Sequence, residues 1–146
     1  MKRHLKSTSG VTLLEVMLVL AIAAMIIVMS VKYYQSASSS QATNSALSAI
    51  QGVTAAADSI AQGDGTYTSA TAANIQNIAG SNALNLPWGT SITITPSATS
   101  YIVTLPGTQP AVCNSLAFKL KANAQHYTSV SACGATAQPF SYTYIP

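Results

Sequence analysis

Charge is scarce in this chain. Asp, Glu, Lys and Arg make up only 6% of its 146 residues, against about 25% in ordinary domains. Three acids and two histidines leave little material for acid–base or metal chemistry. His126 is the only histidine beyond the first ten residues. No serine sits in a nucleophile-elbow pattern, and no glycine loop has the form that cradles phosphate. Helix breakers are missing too. No proline occurs before Pro87, and no glycine between Gly10 and Gly52. A long uninterrupted helix is therefore open to the first third of the chain.

What is present begins with an apolar run over residues 11–31, broken by one charge, Glu15. As a helix the run spans about 31 Å, close to the ~30 Å core of a bilayer. A carboxylate inside such a segment costs on the order of 2.5–3.5 kcal/mol near the bilayer centre and less toward its edge, so a plain anchor has no use for one. Glu15 reads as a functional residue that needs a partner. Lys2, Arg3 and Lys6 precede the run and carry the whole formal net charge of +3. Lys32, Lys119 and Lys121 balance Glu15, Asp58 and Asp64 in the remainder. This asymmetry fits a cytoplasmic leader better than a nucleic-acid surface.

Beyond the run, Leu47, Ile50, Val53, Ala57 and Ile60 recur at three and four residues, with Ser45, Ser48, Gln51, Asp58 and Gln62 at the polar positions. One helix over about 12–61 is expected, with fraying near 38–40 and a stop at Gly63-Asp64-Gly65. Residues 66–86 read as a connection holding a short helical turn at 72–78. Residues 91–95 and 100–105 form an antiparallel hairpin around 96–99, ended by Pro106-Gly107. A second helix is expected over 114–124, with Leu116, Phe118 and Leu120 apolar. Strands follow at 127–132 and 140–145. The class is α+β: a long N-terminal helix, apolar all round in its first half and amphipathic in its second, laid on a small antiparallel sheet.

Cys113 and Cys133 lie in the part that would be exported, where one disulfide is the simplest outcome. A zinc site with His126 is the rival, short of a fourth ligand and of any C-x-x-C pair.

A short basic leader ending in Gly10, then Val11, Thr12, Leu13, Leu14, Glu15 and a long apolar helix resembles type IV prepilins. Tyr33-Tyr34-Gln35-Ser36-Ala37-Ser38, Pro87-Trp88-Gly89 before a hairpin, and Val112-Cys113-Asn114-Ser115-Leu116 resemble the type IVb class, bundle-forming pilins in particular. The resemblance implies cleavage between Gly10 and Val11 by prepilin peptidase and N-methylation of Val11. It implies pairing of Glu15 with the N-terminal amine of a neighbouring subunit. The parts would be a leader (1–10), a transmembrane or filament-core helix (11–31), an amphipathic helix (32–62) and an α+β head (63–146). The implied partners are further copies in a helical homopolymer, the inner-membrane assembly machinery, and a host or bacterial surface receptor. The precursor would sit in the inner membrane and the product in an extracellular filament.

The sequence departs from the type IVa pattern. It has no Phe at the first mature position and no Pro in the membrane segment, and a ten-residue leader is short for the IVb class. Other readings stand beside the pilin: an ordinary signal peptide, a plain signal anchor, a type II secretion pseudopilin, or a minor pilin that binds a ligand or DNA. Catalytic residues, a metal and a cofactor are not expected. Trp88 reads as a packing anchor, and Ala21, Ala23, Ala24 and Ser30 as points of close helix approach. Residues 64–82 and 134–139 are the loops that a receptor would meet.

Overall fold

A computed structural model describes residues 12–146; Gly10 and Val11 lie outside the described residues. Helix α1 runs Leu13–Asp64, close to the 12–61 expected from the absence of Pro before Pro87 and of Gly between Gly10 and Gly52. The chain divides into two compact units, Met1–Ala37 and Ser38–Pro146.

In the first unit α1 is apolar around its circumference from Val16 to Val31 and buries nothing: its residues are exposed, apart from the half-buried Ala23. Its start has a local cause. The Thr12 carbonyl accepts from the Val16 amide at 3.2 Å, and the Thr12 hydroxyl accepts from the Glu15 amide at 3.3 Å. Thr12 is thus the N-cap and Glu15 the third helical residue, the Thr-x-x-Glu arrangement of a capping box. An acid in the first turn also sits favourably against the helix dipole.

In the second unit α1 turns one face inward, burying Thr43, Ala46, Ile50, Val53, Ala56 and Ala57. Leu47 and Ile60, expected on the core face, are only half-buried. The expected fraying at 38–40 is not seen. The Thr43 hydroxyl donates to the Ser39 carbonyl at 2.8 Å, so it is satisfied within the helix instead of interrupting it. Gly65, at φ 73°, closes the helix with its amide on the Ala61 carbonyl at 2.8 Å.

Helix α2 (Ala72–Ala79) is capped by the Thr71 hydroxyl, which accepts from the Asn74 amide. The sheet has strands β1 (Thr93–Pro96), β2 (Tyr101–Thr108), β3 (Tyr127–Thr128) and β4 (Gln138–Tyr144). All pairs are antiparallel, in the order β1-β2-β4-β3. Tyr101, Val103 and Leu105 of β2 pair with Tyr144, Tyr142 and Phe140 of β4, and all six face the core. α1 and α3 (Pro110–Lys121) complete that core with Ile50, Val53, Val112, Leu116 and Leu120. Each such side chain stabilises the fold by roughly 1.5–3 kcal/mol on burial.

Several boundaries differ from the sequence expectation. Pro106-Gly107 does not end β2. Gly107 takes φ 69° and the register shifts between Leu105 and Thr108, so the strand absorbs both residues as an irregularity. α3 starts at Pro110, not at 114, because proline in the first turn gives up an amide that has no helical acceptor there anyway. β3 is two residues long, and β4 begins at Gln138. The disulfide Cys113–Cys133, with a Cα–Cα distance of 5.8 Å, ties α3 to the segment before β4. Its loop stabilises the fold by about 3 kcal/mol in the chain-entropy model.

Candidate functional site

The first unit offers a surface with no occupant among the described residues. Leu13 and Leu14 are 78% and 77% exposed, and the large apolar side chains from Val16 to Val31 are exposed likewise. This stretch is long and apolar enough to cross a membrane. Lys32, Tyr33 and Tyr34 follow it, all exposed. A cation and two aromatic rings are the residues that settle at a membrane–water boundary. Glu15 lies about 18 residues before Tyr33, roughly 27 Å along the axis. With the tyrosines at one interface, Glu15 reaches the far edge of a ~30 Å core, where a carboxylate is much less costly than at the midplane. No described residue pairs with its carboxylate.

The second unit treats its acid differently. Asp58, expected from the sequence at a solvated position, is half-buried. Its carboxylate accepts from the Tyr67 hydroxyl at 2.7 Å and the Tyr144 hydroxyl at 3.3 Å. The two bonds lash the end of α1 to the 66–71 loop and to the last strand. Tyr101 stacks on Tyr144 at 5.0 Å, and Tyr127 meets Tyr142 and Tyr144 edge-on at 5.4 and 5.6 Å. Burial pushes all four buried phenols up: Tyr144 to about 12, Tyr67 and Tyr101 further, and Tyr142 well above the ordinary phenol range. The Asp58 carboxylate adds to the rise in Tyr67 and Tyr144. The Tyr101 and Tyr142 hydroxyls have no hydrogen-bond partner among the described residues. The nearby Thr54 hydroxyl donates to the Ile50 carbonyl at 3.0 Å instead of to Tyr101. Phenols held protonated this firmly are packing groups, not proton carriers near neutral pH.

The remaining candidates are structural. His126 stacks on Tyr144 at 5.9 Å, with Nδ1 3.1 Å from the Ile145 carbonyl. Both thiols are in the disulfide, which leaves neither to ligate a metal. The Trp88 indole donates from Nε1 to the Pro106 carbonyl at 2.9 Å, and the Thr90 hydroxyl donates to the same oxygen. The indole is thereby fixed over the β2 irregularity. A groove beside it is lined by Ser38, Gln41, Ser45, Gln109 and Val112, with no titratable group. Lys119 donates to Asn44 Oδ1 at 3.1 Å. Phe118, expected among the apolar positions of α3, projects outward and is 81% exposed.

The capping role of Thr12 was not expected, although the sequence carries its signal: Thr12 stands three residues before Glu15 and opens an apolar run. The Asp58 cluster has no such signal, since Tyr144 lies 86 residues away. Compared with protein-family models, with curated proteins and with solved structures, the chain matches none.

Proposed function

We propose that the chain is a type IV pilin subunit, of the IVb class, that polymerises through its N-terminal helix into a surface filament. The observation that carries this reading is the bare apolar stretch of α1, opened by Glu15 and continuous with the helix of a disulfide-bonded α+β head. Such a stretch has to be covered by lipid or by other helices. A pilin uses both in turn, lipid before assembly and copies of itself after. Ala21, Ala23, Ala24 and Ser30 let neighbouring helices approach closely.

Cleavage after Gly10 by prepilin peptidase would create a positively charged amine at Val11, four residues from Glu15. N-methylation of Val11 keeps that charge. Inside a helical bundle of low dielectric, an amine and a carboxylate attract far more strongly than in water. A subunit out of register would leave both unpaired at considerable cost. Glu15 therefore selects the aligned position. The head supports the pilin reading over the pseudopilin one. Asp58 is taken up by two tyrosines, which leaves Asp64 as the only exposed side-chain acid of the second unit, far short of a calcium site.

The direct test is intact mass and N-terminal sequencing of the protein from sheared surface fibres. A chain starting at N-methylated Val11 is the expected result. A start near Ser38, or an uncut Met1, overturns the reading.

A further inference from the structure

Resting on the filament reading, the geometry points to a specific contact between heads: Asp64 of one copy meets the Phe118–Lys121 face of α3 in another. The second unit holds few charges, and their placement is informative. Its side-chain acids are Asp58 and Asp64, and its lysines are Lys119 and Lys121. Asp58 is engaged by Tyr67 and Tyr144. Asp64 is exposed, and its carboxylate has no partner among the described residues. Lys121 likewise is exposed and unpartnered among them.

These opposite charges cannot meet within one chain. α3 lies beside the Asn44 level of α1, where Lys119 bonds the Asn44 side chain. Asp64 is about 20 residues further along the same helix, roughly 30 Å away on the axis at ~1.5 Å per residue. At 3.6 residues per turn it also points to nearly the opposite side of the helix from Asn44. Acid and base thus sit on different faces and at different heights. A closed two-fold pair would need both patches in reach at once. A copy displaced along the helix direction needs only one, and leaves its own free patch for the next copy. Repetition of such a head-to-tail contact gives an open filament, not a ring or a dimer.

Both charges stand on open surface. On α3, Asn114, Phe118 and Lys121 share the face opposite the buried Val112, Cys113, Leu116 and Leu120. Phe118 is the most exposed large apolar side chain among the described residues. Asp64 stands between Gly63 and Gly65, where an added Cβ would meet nothing within 4 Å. A protruding ring beside a cation faces a bare, open backbone carrying one carboxylate.

The test uses whole cells expressing the full chain. Asp64→Lys and Lys121→Asp are each expected to cut sheared fibre several-fold, and the double variant to restore most of it. Asp64→Cys with Lys121→Cys is expected to give a ladder of disulfide-linked subunits in fibres, absent from either single variant. Unchanged fibre from the single reversals, no rescue in the double, or no ladder overturns the contact. Normal wild-type fibres starting at Val11 alongside any of these results leave the filament reading standing. Wild-type cells that shed no fibre of this subunit overturn both.

Discussion

Two carboxylates on one helix have opposite fates. Asp58, in the second unit, finds two phenols supplied by distant segments and becomes part of the head's own packing. Glu15, in the first unit, has its backbone amide capped by Thr12 and its side chain left without a described partner. The surfaces around them differ in the same sense. Between Thr43 and Ala57 the helix buries six residues, while the described stretch up to Ala37 buries none. An acid with internal partners serves stability. An acid on an uncovered apolar surface serves whatever comes to cover it.

The sharpest way to break this contrast is to separate charge from capping at Glu15. A capping box accepts Glu or Gln at its third helical position, so Glu15→Gln keeps the cap and removes the charge. Glu15→Ala removes the charge and the side chain's half of the box, while the Thr12 hydroxyl still accepts from the amide of residue 15. If the carboxylate pairs with a neighbour's amine, both variants are expected to be cleaved after Gly10 yet to yield almost no fibre. Immunoblots of sheared and cell-bound fractions read the outcome. Piliation preserved in Glu15→Gln would reduce Glu15 to a helix starter and remove the register role.

Much of this contrast is legible in the amino-acid sequence. The apolar run, its lone acid and the three-and-four spacing of Ile50, Val53 and Ala57 follow from local periodicity. So do α2 and the hairpin of β1 and β2. Where sequence and fold part company, a three-dimensional contact or the exact helical angle overrides a local signal. Pro106-Gly107 looks like a stop, but β2 continues because Thr108 pairs with Gln138 of β4. Asp58 looks solvated because the helix alone cannot show that Tyr67 and Tyr144 converge on it. Phe118 looks like core by composition, yet it lies two residues from both Leu116 and Leu120. At ~100° per residue that spacing places it on the far side.

A smaller effect is expected from Asp58→Asn. The amide keeps nearly the same shape but accepts through one oxygen only and carries no charge, so one phenol loses its acceptor. Hydrogen bonds to a charged group contribute about 1.5–3 kcal/mol each. A loss of that order is expected in urea unfolding of the detergent-solubilised subunit, followed by Trp88 fluorescence. Fibre assembly should persist, because the head still folds. Unchanged stability would mean that the two phenols are held by packing alone.

The subtlest prediction concerns alkaline pH. Free tyrosine titrates near pH 10, whereas burial and then the Asp58 carboxylate hold Tyr144 protonated up to about 12 in the folded head. Tyr67, Tyr101 and Tyr142 shift in the same direction. Above pH 10 the unfolded chain releases these protons while the folded one keeps them. The unfolded state then binds fewer protons, so unfolding becomes more favourable as pH rises. The stabilisation is complete below about pH 10 and is lost progressively through pH 12. Urea midpoints at a series of pH values should stay level up to pH 10 and then fall. In Tyr144→Phe the decline should be shallower, because one of the four linked protons is gone. A flat profile through pH 11.5, or one that Tyr144→Phe leaves unaltered, would place the cluster in contact with solvent and dissolve the distinction between the two acids.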